Sequence, residues 1–302
     1  SDPRVSSGSV PGGEAQHTVL SVLRGAETWL ERRGVDAPKR SAELLLGKVL
    51  GLSRLQLYLA HDRPLDPKER DAMRALLVRR GDGEPVAHLL GSWSFRGLEL
   101  AVSPAVLIPR PETEELVDLV LARAPQGGRV VDLGTGSGAI AIATAVARPD
   151  LQVLAIDQSQ DALLVAAANV ARHGVGARVT LLHGSWWAPV PADAMFDVVV
   201  SNPPYIDPNA TEGLADDVRR FEPAMALFSA PGDVLSCYRA IGVGLARHLR
   251  PGGFVVCETG VGAAEPGLAW LAALPTVRDA QLLPDFAGLP RFLVAQATNG
   301  SA

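Results

Sequence analysis

The spacing of apolar positions changes period twice along the chain. Between residues 17 and 80 it is helical: Val19, Leu20, Val22, Leu23, Ala26 and Leu30 recur at 3.6-residue spacing, and Gly34 is placed to end that helix. A second helix is predicted from Ala37-Pro38 to just before Gly51, a third over 54–59, and a fourth from Asp66-Pro67 through Met73, Leu76 and Leu77 to Arg79-Arg80. Short amphipathic helices can bury their apolar faces only against one another, so this region reads as a small bundle. From His88 to Val102 the period falls to two, which predicts a hairpin turning at Arg96-Gly97. A proline-containing connector over 103–111 follows, and a helical pattern resumes from Thr113 to Leu121.

After Gly128, β-branched apolar runs alternate with helical segments, the pattern of a parallel sheet covered on both faces. Strands are predicted at 129–133, 152–156, 178–182, 196–200, 253–258, 277–283 and 291–295, with helices near 138–147, 159–173, 233–249 and 263–273. Only Pro284 to Pro290 separates the last two strands, so they form a hairpin, and one edge strand is expected to run antiparallel. The fold class is therefore α/β: a seven-stranded, mostly parallel sheet with helices on both faces, preceded by a helical bundle and a linking β-hairpin. The expected organisation is a disordered tail at 1–16, a helical domain at 17–85, the hairpin and linker at 86–111, and the α/β domain at 112–302.

Composition narrows the class further. With 302 residues, 47% hydrophobic and 20% charged, the chain can bury a substantial core in two domains. No apolar run reaches the ~18–20 residues that cross a bilayer, and Ser1 to Gln16 lacks the apolar segment of a signal peptide. A cytoplasmic protein with no membrane partner is expected. Cys237 and Cys257 have no Cys or His partner at ligand spacing, so neither a metal site nor a disulfide framework is expected. Lys+Arg and Asp+Glu number 15 and 13 up to residue 103, and 13 and 20 beyond it. Neither part has the basic surplus of a protein that grips nucleic acid through phosphates. Lys68, Arg70, Arg74, Arg79 and Arg80 read as a solvated helix face. No heptad or large apolar face asks for a dimer, so a monomer is expected.

The chemistry sits at predicted strand ends. The strand at 129–133 runs into Gly134-Thr135-Gly136-Ser137-Gly138, which opens a helix; such glycines let backbone turn sharply and approach a ligand at a helix N-terminus. Alone, this loop suits a dinucleotide or S-adenosylmethionine equally. Asp157, ending the next strand, can accept both hydrogens of a ribose diol, although an acid there can also cap the following helix. Trp186, past the third strand, offers an apolar face to a purine or simply packs. Ser201-Asn202-Pro203-Pro204-Tyr205 ends the fourth. Its prolines fix φ twice, remove two N–H donors and push Asn202 out of the helical region. The stiff loop aims the Asn202 oxygen and the Pro203 carbonyl, a pair that could hold both hydrogens of a planar NH2 group while Tyr205 packs on its face. Taken alone, Asn-Pro-Pro reads first as a proline-stiffened turn, and the rest of the chain has to shift that reading. A dehydrogenase would present a hydride-handling His or Tyr/Lys pair here, so Asn-Pro-Pro-Tyr favours methyl transfer.

Asp132-Leu133-Gly134-Thr135-Gly136-Ser137-Gly138, Asp157 and Asn202-Pro203-Pro204-Tyr205 together resemble amino-methyltransferases that act on planar NH2 groups. With Ile108-Pro109-Arg110-Pro111-Glu112-Thr113-Glu114 and the helical N-terminal region, the chain resembles the peptide chain release factor glutamine methyltransferases over roughly residues 17–297. Glu222-Pro223, Tyr238-Arg239 and Asp285 to Arg291 also look like that family. The resemblance implies the class I methyltransferase fold and S-adenosyl-L-methionine as cofactor, held by Gly134, Thr135, Gly136, Ser137, Gly138, Asp157, Trp186 and Asn202, with S-adenosyl-L-homocysteine as product. It implies as substrate the glutamine of the Gly-Gly-Gln motif in a release factor, bound by Asn202, Pro203, Pro204 and Tyr205. Asn202, Pro203 and Tyr205 would carry catalysis, and the helical domain would bind the release factor. The sequence departs from the family at Phe228 to Asp233, at Ser185, where many members carry an acid, and at Glu258-Thr259-Gly260, where Glu-Ile-Gly is usual. Two rivals stay open: N(6)-adenine methylation of DNA or RNA, which needs base flipping and a cationic channel, and a cofactor-binding regulator without turnover.

Overall fold

In a computed structural model that describes residues 17–298, the chain divides into two units, the first ending at Leu90 and the second starting at Gly91. The tail expected at 1–16 lies outside the described residues. The first unit consists of α1 (Val19–Arg32), α2 (Pro38–Leu50), α3 (Arg54–Leu59), α4 (Pro67–Gly81) and α5 (Val86–Leu90). Ser53 and Asp66 start α3 and α4 as capping boxes: each side chain accepts the N–H three residues on, while Gln56 or Glu69 reaches back to the cap N–H. Leu23, Leu30, Leu45, Leu46, Leu57 and Met73 form this unit's own core. Two expectations change here. Residues 86–90 form a helix, not the start of a hairpin, because Leu89 seats in the bundle core and Lys48 Nζ donates to the Leu90 carbonyl at 2.8 Å. Arg80 is not on a solvated face. It is buried, donating to Ser41 Oγ at 3.4 Å and to the Glu84 carbonyl at 3.0 Å.

The second unit opens with β1 (Ser92–Phe95) and β2 (Leu98–Ala101), an antiparallel pair. Arg96 and Gly97 both have positive φ, 48° and 74°, as a type I′ turn requires. The hairpin is more than a linker. Phe95 and Leu100 are fully buried in one core with Leu116 and Val117 of α6 (Pro111–Arg123). The Arg96 N–H donates to Glu114 Oε1, and its guanidinium pairs with Asp118.

The remaining strands are β3 (Arg129–Leu133), β4 (Gln152–Asp157), β5 (Val179–His183), β6 (Phe196–Ser201), β7 (Leu249–Glu258), β8 (Val277–Pro284) and β9 (Pro290–Ala297). They join in one sheet in the order β5-β4-β3-β6-β7-β9-β8. Helices α7 (Ala139–Ala147), α8 (Gln160–Arg172), α11 (Ser236–His248) and α12 (Val261–Ala272) connect the strands, and short α9 (Asp216–Phe221) and α10 (Ala224–Leu227) lie in the long segment after β6. Two buried clusters pack on the sheet, one with α6 and α7, the other with α11 and α12. The reversed strand is not the edge strand, as the hairpin reading expected. Internal β9 runs antiparallel to both β7 and β8, so edge β8 points with the parallel set. Burial explains the exchange: Phe292 to Ala295 is a continuous apolar run that takes an internal place, whereas Arg278, Asp279 and Gln281 break the β8 run and leave it at the rim. The chain steps from β3 out to β4 and β5, then returns to β6 on the other side of β3. Ligands in open α/β sheets bind at such a switch point, beyond the strand carboxyl ends. The glycine loop and the Asn-Pro-Pro-Tyr loop meet there.

Candidate active site

Gly134, Gly136 and Gly138 hold φ of 79°, 56° and 82°, the left-handed region that disfavours side chains. The Gly134 and Thr135 N–H groups both donate to the Ile156 carbonyl at 2.9 Å, tying the loop to the end of β4. Gly138 faces inward: a Cβ there would stand 2.9 Å from Ile142 Cδ1 and 3.4 Å from Ala166 Cβ, so its role is close packing on α7 and α8. Asn169, buried on α8, donates to the Ser137 carbonyl at 2.9 Å and bonds both backbone groups of Ala101, locking loop and hairpin together.

Asp157 accepts the Gly136 N–H at 2.8 Å on one oxygen and the Ser159 N–H at 2.9 Å on the other. Each oxygen keeps further acceptor capacity for a diol. The capping alternative goes to Ser159, whose side chain accepts from Ala162. Burial raises the Asp157 pKa, and backbone hydrogen bonds oppose the rise. Beneath the loop, Asp132 is fully buried: one oxygen accepts the Thr135 hydroxyl at 2.6 Å, and Oδ1 has no partner. Burial pushes its pKa up to about 7.

Opposite lies Asn202, whose Nδ2 donates to Thr113 Oγ1 at 3.3 Å; the Thr113 hydroxyl in turn donates to Glu258 Oε2 at 2.7 Å. The Tyr205 hydroxyl reaches the other Glu258 oxygen at 3.5 Å. Its ring lies over Gly260, where a Cβ would come within 2.7 Å of Tyr205 Cε2. Glu258 is 1% exposed, and burial pushes its pKa up to about 7. Arg110, next to this network, pairs at 2.6 Å with buried Glu222, which also accepts the Ile108 N–H at 3.0 Å. The pair ties the connector before α6 to the segment after β6.

Between the two loops is a cavity of about 470 Å³. Gly134, Thr135, Gly136, Ser137, Asp157, Trp186, Asn202 and Pro204 line it, as do Arg110 of the connector and Thr113 of α6. Of the residues singled out in the sequence, Gly138, Pro203 and Tyr205 stand behind this wall. At Ser185 the lining comes from its neighbours Gly184 and Trp186. Sequence reasoning missed Asp132, Thr113 and Glu258 as site residues. The signals were a lone acid inside an apolar strand at Asp132, another closing one at Glu258, and Thr113 directly after the proline-containing connector.

A family model described as the methyltransferase small domain matches residues 113–224, and one described as the PrmC N-terminal domain matches 21–91. The release factor glutamine methyltransferase of Geobacter sulfurreducens is 43% identical over 82% of this chain and 86% of its own length. That of Neisseria gonorrhoeae is 44% identical over 84% and 92% respectively. The chain belongs to the release factor glutamine methyltransferase family. Among solved structures, the hMettl16 catalytic domain in complex with MAT2A 3′UTR hairpin 1 matches with a TM-score of 0.55 and 14% identity, over 78% of this chain and 82% of that one. Such a likeness speaks for the fold alone. As a member of the family, the protein is a methyltransferase, which decides against the reading of a regulator without turnover. Among the described residues, no helix is long and apolar enough to cross a membrane.

Proposed function

We propose that this protein methylates the side-chain nitrogen of the glutamine in the Gly-Gly-Gln motif of a peptide chain release factor, using S-adenosyl-L-methionine. The observation that carries the reading is the placement of Asn202 on the same cavity as the glycine loop and Asp157, in a chain of this family. The site fits the cofactor: left-handed glycines open the loop to close approach, and Asp157, on the cavity lining, keeps acceptor capacity for a ribose. Gly134 to Ser137, Asp157 and Trp186 would hold it, with Gly138 setting the loop's packing. When bound, it supplies a methyl group on a positively charged sulfur.

This chain's own residues have to make a poor nucleophile reactive, because an amide lone pair is delocalised into its carbonyl. Since Asn202 Nδ2 is engaged by Thr113, Oδ1 is the free end of that side chain and an acceptor for a hydrogen of the substrate amide, whereas Pro203, the second acceptor expected from the sequence, does not line the cavity. Holding that hydrogen orients the nitrogen and supports the positive charge that grows on it. Tyr205, set between Gly260 and Glu258, stiffens the loop from behind. The helical unit, with its separate core, serves in this reading to bind the release factor.

The test offers methyl-labelled cofactor with a release factor, duplex DNA and RNA in parallel. Label in the release factor, mapped to glutamine and lost when that glutamine is replaced by alanine, is the expected result. Label in nucleic acid alone would sink the reading and favour adenine methylation.

A further inference from the structure

We propose that Thr113 and Glu258 are positioning residues, a hydrogen-bond relay that decides which end of the Asn202 amide faces the substrate; the proposal rests on the glutamine-binding role given to Asn202 above. Thr113 is 4% exposed and has one hydroxyl hydrogen to give. Two groups compete for it: Glu258 Oε2 at 2.7 Å and the Asn202 amide at 3.3 Å. An ionised carboxylate only accepts, so with Glu258 ionised the hydrogen goes to Glu258 and the Thr113 oxygen is left to accept from Asn202. That order turns Nδ2 toward Thr113 and leaves Oδ1 for a substrate NH2 group.

The opposite order is equally complete. A protonated Glu258 donates to Thr113 Oγ1, the hydroxyl hydrogen swings to Asn202, and the amide flips to present its own NH2. Two NH2 groups then face each other, donor against donor, and neither substrate hydrogen finds the Asn202 acceptor. The relay thus has two self-consistent settings, of which one binds the amide. A proton on Glu258 selects between them.

Several groups face Glu258 from the elements around it. Glu112 and Thr113 come from α6, Tyr205 from the segment after β6, and Arg291 from β9, where it pairs with Asp285 at 3.1 Å. The Tyr238 hydroxyl of α11 donates to the Glu258 backbone carbonyl at 2.9 Å. Burial and the nearby Glu112 favour the protonated carboxyl, which the Thr113 bond, Arg291 and Tyr205 oppose, leaving it at about 7. A neutral-range limb in turnover is the consequence, with activity falling as pH drops. A substrate amide has no ionisation near neutrality to produce one. Asp132 also sits at about 7, but it underlies the glycine loop, so its effect belongs in cofactor affinity and vanishes from kcat at saturating cofactor.

The experiment uses the full-length protein and release factor substrate, with kcat measured between pH 6 and 9 at saturating cofactor, cofactor affinity by calorimetry, and Tm. Thr113→Val keeps the shape and removes the hydroxyl; it should lower kcat about 10–100-fold while cofactor affinity stays within about two-fold. Thr113→Ser restores the hydroxyl and should recover kcat to within about three-fold. Glu258→Gln should abolish the neutral-range limb. An unchanged kcat in folded Thr113→Val, a folded Thr113→Ser that fails to rescue, or a limb that persists in Glu258→Gln would each overturn the relay. These outcomes are read against wild-type enzyme that transfers label to the release factor. Without that transfer it is the substrate assignment that fails, and the relay falls with it.

Discussion

The cavity wall around Asp157 is mostly backbone and lies within residues 132–159, whereas the wall around Asn202 is mostly side chain, drawn from four separate places in the chain. On the first wall, Gly136 bonds to Asp157 only 21 residues away. On the second, Asn202 meets Thr113 across 89 residues, Thr113 meets Glu258 across 145, and Arg110 meets Glu222 across 112. A backbone wall tolerates change in its side chains provided the glycines keep their φ. A side-chain wall depends on every member, since removing one leaves another buried without its partner. The difference assigns tasks: the local wall suits a cofactor bound in one fixed way, and the assembled wall carries the geometry of the reaction. Mutations should therefore separate binding from turnover according to the wall they strike.

Asn202→Ala is the strongest test of that division. It removes the proposed acceptor for the substrate amide and should lower kcat by about 10³-fold, at the upper end of what one oriented polar group contributes, while cofactor affinity by calorimetry falls by less than about ten-fold. Near-normal turnover would remove Asn202 from the reaction. An equal loss of cofactor affinity and turnover would mean that the two walls do not divide the work.

The same contrast explains what could be read from the chain. The glycine loop, Asp157 and the parallel strands were legible because each follows from a short window: a β-branched run, a turn that only glycine allows, an acid at a strand end. Asn202 was legible because two prolines mark its loop. Thr113 and Glu258 were not, since a threonine in the first turn of α6 and a glutamate closing β7 acquire a role only when β6 and β7 pair in parallel, setting Asn202 beside Glu258, and α6 packs across both strands. The place of β9 was hidden for a related reason. A hairpin of two strands does not say which of them joins the sheet; that choice depended on comparing the apolar run at Phe292 with the interrupted one at Arg278. Helix α5 shows the limit of short windows, since five residues carry too little period to separate helix from strand, and Leu89 follows the bundle core.

Glu258 also gives the side-chain wall a stability that depends on pH. Its carboxyl rises from an ordinary 4.5 to about 7 in the fold, so the folded state holds the proton more tightly than the unfolded chain. The resulting stabilisation is fully present below pH 4.5 and is lost as pH climbs through about 7. The loss is on the order of 3 kcal/mol. Wild-type Tm should fall between pH 6 and 8, and Glu258→Gln should make that fall shallower. Parallel Tm curves for the two proteins would show that burial does not hold the proton on Glu258. Asp132, raised in the same direction beneath the glycine loop, should leave a residual slope in the variant.

On the backbone wall the decisive change is Gly136→Val. Its φ of 56° is strained for any residue with a Cβ and worst for a branched one. The loop should shift and weaken the Gly136 bond to Asp157, costing about 1–2 kcal/mol in cofactor binding, or a roughly 5–30-fold rise in Kd. At saturating cofactor, kcat should stay within about three-fold. A large drop in kcat at saturation, with Kd unchanged, would place the loop in the chemistry instead.

The smallest expected effect belongs to Trp186, which links the two kinds of wall. It lines the cavity, packs partly on the core, and holds a φ of 47°, rare for so bulky a residue. Strain of that sort, about 1 kcal/mol, persists only where surrounding structure holds it, and it clusters at ligand sites. Trp186→Gly relieves the backbone strain and removes the ring at once. The two effects on stability oppose each other, so Tm should move little, whereas cofactor affinity should fall about five- to ten-fold through loss of the ring's face. If Kd holds steady and Tm drops by several degrees, Trp186 is a core residue that happens to border the cavity. If Kd weakens with Tm unchanged, the strained tryptophan is held for the ligand, and its ring joins the Asp157 carboxylate as a side chain that does the binding.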